Sequence, residues 1–409
     1  MSAGPSVKVV YLSQYFPPEM GAPAARVHEL SREWARQGLS VTVLTGMPNH
    51  PTGIVPRRYR GLLYCREELD GIDVCRAYVY ATPNKGVYRR ALNYISFLFA
   101  SVFIGFFKLR KPDVIIATSP QLLAGLAGWA LAALKRVPFV FEVRDLWPES
   151  IEAVGAVKNR ALLAPLYALV NRLYRSAKHI VVVTDTMKET LVARGIPASK
   201  ISVFKNGVDL DFFRPDAGAG DIRKVHRLND DFVVLYIGTM GMAHGLEVVI
   251  AAARALKDEK VKFLLVGEGA RKAHLKAAAA ASPNVIIADG CPRKRVRDYI
   301  LSADACLVHL RKSDLFETVL PSKMFEMMGC AKPILLGVNG EARRTLEQAQ
   351  AGCWFPPEDG EALARETLRL RNDSALAARL GANGRRFAEA NYSRSAIAGK
   401  YAELLREIA

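Results

Sequence analysis

The chain has 409 residues, half of them hydrophobic and 24% charged, with 57 Lys and Arg against 40 Asp and Glu. That length exceeds one hydrophobic core and suits two domains, and the composition excludes a disordered or fibrous chain. The net charge of +17 implies an anionic partner. Without a helix-turn-helix, zinc-finger, RRM or KH signature, a phosphorylated substrate or a phospholipid surface is favoured over nucleic acid.

Residues 1–220 hold 28 basic against 17 acidic residues and residues 221–409 hold 29 against 23, giving +11 and +6. Cys65, Cys75, Cys291, Cys306, Cys330 and Cys353 lie far apart, with no CxxC and no Cys/His cluster. That spacing argues for a reducing compartment and against structural zinc or a disulfide framework. A short polar start leads into VKVVYL at 7–12, which reads as a first strand rather than a signal peptide.

Short β-branched runs then alternate with helical segments. Strands are predicted at 7–12, 40–45, 113–118, 139–143, 179–183 and 201–204, and again at 232–237, 261–266, 284–288, 305–310 and 333–338. Continuous rather than alternating apolar runs indicate strands covered on both faces, hence parallel α/β sheets in two doubly wound blocks. The seam is NGVDLDFFRPDAGAGD, 206–221, rich in turn formers. Helices are expected around 374–390 and 393–408, the last crossing back to the first block. The domains are therefore 1–205 and 206–390, with 391–409 packing on the first.

In such sheets ligands sit beyond the carboxyl ends of the strands. After the first strand comes SQYFPPEMGAPAAR, 13–26, where Gly21 admits a close backbone and Arg26 follows on a helix. A turn-rich connector with an exposed Arg is the plainer alternative. Residues 84–111 contain Lys85, Arg89, Arg90, Lys108, Arg110 and Lys111 and no acidic residue, around the sixteen-residue apolar run LNYISFLFASVFIGFF. That run is short for a bilayer span, which needs about twenty residues. A buried core helix and a helix lying in an anionic membrane interface both fit, and shallow membrane contact is the expectation.

FEVRDLWPES, 141–150, ends a strand in Glu142, Arg144, Asp145 and Glu149, with Trp147 offering a flat face to a sugar ring. Carboxylates there can orient or deprotonate a hydroxyl; an ion-paired turn is the alternative. YIGTMGMAHGLEVV, 236–249, sets Gly238, Gly241 and Gly245 in a strand-to-helix turn whose amides suit a diphosphate. His244 either donates to a phosphate or is simply solvated. VGEGAR (266–271) and ADGCP (288–292) end the next two strands. FETVLPSKMFEMM, 316–328, is then predicted to open a helix at Pro321. The amides of Ser322, Lys323 and Met324 would be free in its first turn. Leu320, Met324, Met327 and Met328 would face the core, and Ser322, Lys323 and Glu326 the other side. An ordinary amphipathic helix with a Lys–Glu pair is the alternative.

With PP-x-x-G-A in the first loop, NGVD at the seam, VGEGA and a Glu-bearing helix after ACLVHL, the chain resembles the GT-B glycosyltransferases of family 4. EVRDLWPES, GTMGMAHGL and LPSKMFEMM further resemble the L-fucosamine transferase-like branch, which builds bacterial surface polysaccharides. The resemblance covers nearly the whole chain. It implies two Rossmann-like domains facing across a cleft, with a nucleotide-sugar donor on the second and an acceptor on the first. It also implies retention of configuration and no metal or other cofactor. Glu326 matches the second glutamate of the family's E-x7-E motif, expected at the donor ribose. The first falls at Thr318, with Glu317 one residue out of register. The family's Arg and Lys after the first strand of the second domain are replaced by Thr239, Met240 and His244.

The expected donor site is Gly21, Arg26, Gly238, Met240, Gly241, His244, Gly267, Thr318, Leu320, Ser322, Lys323 and Glu326. Asp145, Glu326 and Lys323 are the expected catalytic residues, and Arg144, Asp145, Trp147 and Glu149 the acceptor residues. The implied enzyme transfers a sugar from a nucleotide diphosphate, UDP first among the candidates, to a polyprenyl-diphosphate-linked saccharide at the inner face of an anionic membrane. It would be cytoplasmic and peripherally attached, with closure about residues 206–221 accompanying turnover. Two rivals are a sugar-nucleotide epimerase of the same architecture and a membrane-surface binding subunit without catalysis.

Overall fold

The computed structural model describes residues 6–19, 22–50, 52–82, 87–119, 121–148 and 160–409. The chain divides into two compact units, Met1–Asn206 with Ser395–Ala409, and Gly207–Arg394. The division falls one residue after the predicted seam begins. The return to the first unit comes four residues later than 391, inside the helix Arg394–Ile408.

In the first unit the strands are β1 (Lys8–Leu12), β2 (Ser40–Gly46), β3 (Tyr64–Leu69), β4 (Ile72–Ala77), β5 (Val114–Thr118), β6 (Phe139–Val143), β7 (His179–Val182) and β8 (Ile201–Val203). They form one sheet in the order β3-β4-β2-β1-β5-β6-β7-β8, parallel except for β3 against β4. Val10 and Leu12 enter one apolar core and Val9 and Tyr11 the other, so both faces of the sheet are covered. All six strands predicted for this half are present. The β3–β4 hairpin was not predicted. It is an edge ladder of charged residues, Arg66 bonding Asp73 and Arg76 bonding Glu67. Its one legible signal is Asp70-Gly71, both at positive φ (52° and 77°), the signature of a two-residue hairpin turn.

The second unit holds β9 (Phe232–Ile237), β10 (Val261–Val266), β11 (Val285–Ala288), β12 (Ala305–His309), β13 (Ile334–Gly337) and β14 (Gly352–Trp354). Its sheet is wholly parallel and runs β11-β10-β9-β12-β13-β14. Counted within the unit this is the 3-2-1-4-5-6 order of a dinucleotide-binding fold. The strand order reverses between β9 and β12, where Val234 lies opposite Ala305. A ligand crevice belongs beyond the carboxyl ends of those two strands. β14 has three residues and was missed for its brevity.

The helix Arg394–Ile408 closes the first unit. Ala398, Tyr401, Ala402 and Leu405 are buried in the core that holds Trp34. Trp34 Nε1 donates to the Ala398 carbonyl (3.1 Å), and the Tyr401 ring packs on Trp34 and Phe204.

Candidate active site

At the reversal of the second sheet, the loop after β9 meets the segment that follows β12. That segment is a short helix, Asp314–Glu317, then a turn, then the helix Lys323–Gly329. Met324, Phe325, Met327 and Met328 are fully buried, and Leu320 nearly so. Ser322 is exposed, and Lys323 and Glu326 are half-buried on the other side. The predicted two-faced segment is therefore present. Its start is not where Pro321 indicated. The Met324 amide donates to the Pro321 carbonyl (3.0 Å) and the Phe325 amide to the Ser322 carbonyl (3.1 Å), so Met324 contributes no free N–H.

Lys323 Nζ lies 4.2 Å from the centre of the Tyr236 ring, at the end of β9. A Cβ on Gly238 would sit 2.8 Å from that ammonium, so glycine lets the loop pass over it. The Tyr236 hydroxyl donates to the Thr239 carbonyl (2.6 Å), fixing the ring. Burial, against the opposing charge of Glu326, lowers the Lys323 pKa to about 8. Burial and then the Lys323 charge lower His244, on the same loop, to about 4. Glu326 accepts from Arg293 (3.3 Å), which opens the helix after β11. A partly desolvated cation beside a neutral imidazole and a glycine turn is chemistry suited to an anion of high charge density.

Three loops are tied together. The Gly238 amide donates to the Val266 carbonyl (2.9 Å), the Met240 amide to Glu268 O (2.8 Å) and the Arg271 amide to Met240 O (2.9 Å). The Gly267 amide donates to the Ala288 carbonyl (3.3 Å). Glu268 accepts from the Gly290 amide (3.0 Å) and from Lys272 (2.6 Å). His309, buried at the end of β12, donates from Nδ1 to the His244 carbonyl (2.6 Å) and accepts at Nε2 from the Glu358 amide (2.9 Å). That pairing fixes the neutral tautomer and pins the His244 turn.

These bonds correct part of the expected donor set. Met240 is a core residue with both main-chain groups engaged, and the Gly238 and Gly267 amides are spent between loops. Leu320 is packed in the core, so its side chain faces no ligand. Gly241 and His244 lie in the loop after β9, and Thr318, Ser322, Lys323 and Glu326 in the segment after β12, from which Lys323 reaches the β9 loop. Tyr236, Arg293 and His309 were missed. They are an apolar strand residue, a helix residue and a buried strand end, and no local pattern marks them.

In the first unit Arg26 is 7% exposed. Its Nε donates to Glu142 Oε1 (2.9 Å), and its other nitrogens donate to the Phe204 and Lys205 carbonyls and to Asn206 Oδ1. It is an internal anchor, not a cation free to meet a diphosphate. Glu142, inside β6 and fully buried, also accepts from Tyr11 (2.8 Å) and Thr118 (3.3 Å). Burial opposes its ionisation, but the charges of Arg26 and Arg144 hold its pKa below the usual carboxylate value. Arg144 is half-buried, its amide donating to Ser119 Oγ (2.7 Å) and its guanidinium to the Pro23 carbonyl (3.3 Å). Asp145 and Trp147 are half-buried just beyond β6, Trp147 packed against the core. Glu19, also missed, is buried and accepts from the amides of Asn49 and His50 (2.8 Å each). Gly21 and Glu149 lie outside the described residues. Among the described residues no group of three or more His, Cys, Asp and Glu side chains could hold a metal ion.

Two doubly wound units, the second with an anion-suited cation at its switch point, define a two-domain α/β enzyme of Rossmann type. The family models agree: residues 21–207 match the "glycosyl transferase 4-like domain" and residues 219–387 the "glycosyl transferases group 1" domain. The chain belongs to the GT-B glycosyltransferases of family 4. The putative colanic acid biosynthesis glycosyl transferase WcaI of Escherichia coli (strain K12) is 27% identical over 91% of this chain and 94% of its own. The probable glycosyltransferase WbjE of Pseudomonas aeruginosa is 27% identical over 74% and 76%. Among solved structures, sucrose-phosphate synthase (tll1590) from Thermosynechococcus elongatus superposes with a TM-score of 0.75 at 20% identity, covering 98% of each chain. Anabaena Alr3699/HepE in complex with UDP and glucose gives 0.73 at 17%, covering 98% and 99%. The fold is GT-B.

Proposed function

We propose that the chain is a retaining, metal-independent glycosyltransferase of bacterial surface-polysaccharide biosynthesis. It moves a sugar, an N-acetylated deoxyhexosamine in the branch it resembles, from a nucleotide diphosphate to a polyprenyl-diphosphate-linked saccharide at the inner face of the membrane. The observation that carries the reading is Lys323, an ammonium held over the Tyr236 ring beside the Gly238 turn at the switch point. A partly desolvated cation there stabilises the diphosphate as its negative charge grows in the transition state. Glu326, steadied by Arg293, accepts from the ribose hydroxyls of the donor.

On the first unit Asp145 orients the acceptor hydroxyl and Trp147 supports the sugar. The bond from the anomeric carbon to the leaving phosphate breaks, a bond to the acceptor oxygen forms on the same face, and the departing phosphate takes the hydroxyl proton. UDP is the first donor to test, since a protein of this fold has been solved with UDP and glucose. Relatives named for colanic acid and amylovoran biosynthesis support the surface-polysaccharide role.

The test is a melting-temperature panel with UDP, GDP, dTDP and CDP at millimolar concentration. A ligand at about 100 times its Kd adds roughly 2.7 kcal/mol, readily visible as a shift. One nucleotide should shift the wild type and leave Lys323→Ala unmoved. A flat response to all four overturns the donor reading.

A further inference from the structure

The apolar run of the first unit forms a helix longer than the sixteen residues read from the sequence. It spans Val87–Lys108, and Tyr88–Lys108 is long and apolar enough by composition to cross a membrane. Its two faces differ sharply. Asn93, Phe97, Ser101 and Ile104 recur at helical spacing and are buried in the unit. Gly105 lies so close to Leu131 that a Cβ there would meet Leu131 Cδ2 at 2.6 Å. On the opposite face Tyr88, Leu92, Ile95, Phe99, Phe103 and Phe107 are exposed, Phe99 by 69% and Phe103 by 65%. Exposed Arg89 and Arg90 stand at one end of the helix and Lys108, Arg110 and Lys111 at the other.

The first of these ends is joined to the loops after β1 and β2. Gln14 Nε2 donates to Asn93 Oδ1 (2.5 Å), and Asn93 Nδ2 donates to Asn49 Oδ1 (3.2 Å) and to the Tyr80 carbonyl (2.8 Å). The Tyr80 amide donates to Ser96 Oγ (2.8 Å), and the Tyr80 side chain is exposed beside the helix.

We propose that this helix docks lengthwise on an anionic bilayer, as a flat anchor rather than a span, an inference that rests on the membrane-bound acceptor proposed above. The buried stripe cannot leave the unit without opening its core, so the helix keeps that face on protein and gives only the aromatic face to lipid. Basic residues at both ends and the absence of Asp or Glu between 84 and 111 match the charge of phosphate headgroups. An apolar face flanked by cations is the pattern of an interfacial helix. Asn93 then holds the Arg89–Arg90 end against the carboxyl-end loops of the sheet. A diphosphate presented from the headgroup layer meets those loops first.

Flotation of the full-length protein with equimolar phosphatidylglycerol–phosphatidylcholine vesicles tests this. Binding is expected, and roughly tenfold weaker on pure phosphatidylcholine or in about 0.5 M salt. F99E/F103E should lose it while keeping its melting temperature and its response to UDP. Tyr88→Trp and Phe99→Trp lie about 16 Å apart along the helix axis, one near its end and one at its middle. Both should be quenched equally by lipids brominated near the headgroup, where a span would place the second at the bilayer centre and spare it. Equal flotation of wild type and F99E/F103E overturns docking. So does a dimer, seen by sedimentation velocity without lipid, that the same substitutions dissolve. Vesicle binding without any nucleotide response leaves docking standing and removes the donor reading instead.

Discussion

Lys323 Nζ sits 4.2 Å from the centre of the Tyr236 ring, joining the helix after β12 to the last turn of β9. Tyr236 lies on β9 and Lys323 on the helix that follows β12, the two strands between which the sheet reverses, so this one contact marks the switch point chemically as well as topologically.

The folded protein holds Lys323 at a cost, because its pKa is lowered to about 8, mainly by burial. Below that value the charged form is disfavoured relative to the unfolded chain, and the penalty is relieved as pH rises from about 8 towards the ordinary lysine value of about 10.4. Lys323→Met should therefore stabilise the empty protein at pH 7 by about 1 kcal/mol, the desolvation penalty outweighing the cation–π attraction. It should also abolish nucleotide binding. Urea midpoints at pH 7 and pH 10 check this, the advantage of the variant vanishing at the higher pH.

Nucleotide affinity should be flat below about pH 7.5 and fall above pH 8, as the free protein loses the Lys323 proton that the diphosphate needs. Titration calorimetry with UDP at pH 6.5, 8 and 9.5 reads the decline, of up to tenfold per pH unit. Constant affinity across that range would detach Lys323 from the diphosphate.

Arg26→Met should act on stability alone. It leaves Glu142 charged and buried without its partner, a loss of about 3–5 kcal/mol. The melting temperature should drop while UDP affinity in the remaining folded protein is unchanged. Weaker UDP binding would instead return Arg26 to the donor site.

Gly267→Ala places a Cβ 1.8 Å from the Gly238 carbonyl oxygen, a main-chain clash that no rotamer relieves. The loops after β9 and β10 must part. A destabilisation of about 1–3 kcal/mol is expected, with weaker nucleotide binding, because the displaced turn is the one over Lys323. Chemical denaturation and the nucleotide melting shift measure the two effects.

Burial lowers the pKa of His309, so the unfolded chain binds more protons than the folded one below pH 6.5. Stability should decline as pH falls from about 6.5, and His309→Gln, with nothing to protonate, should flatten part of that slope at the cost of two hydrogen bonds. Melting temperatures at pH 7.5 and 5 decide it.

The sequence alone determined the two parallel sheets, because strands buried on both faces need unbroken apolar runs that are visible locally. It also determined the two-faced segment at Leu320–Met328, since helical spacing puts like residues on one side whatever they pack against. Tertiary structure decided which polar groups are free. Arg26 and Glu142 are 116 residues apart, and only the adjacency of the helix after β1 to β6 turns an apparent ligand cation into a buried anchor. Lys323 acquires its depressed pKa from burial, and the Tyr236 ring and Gly238 turn that lie against its ammonium reach it through the pairing of β9 with β12. For the apolar helix the run of residues was legible, but which face stays in the core was set by Leu44 and Leu131 closing on Gly105. Burial is a property of the assembled fold, and charge, hydrogen bonding and pKa follow from it.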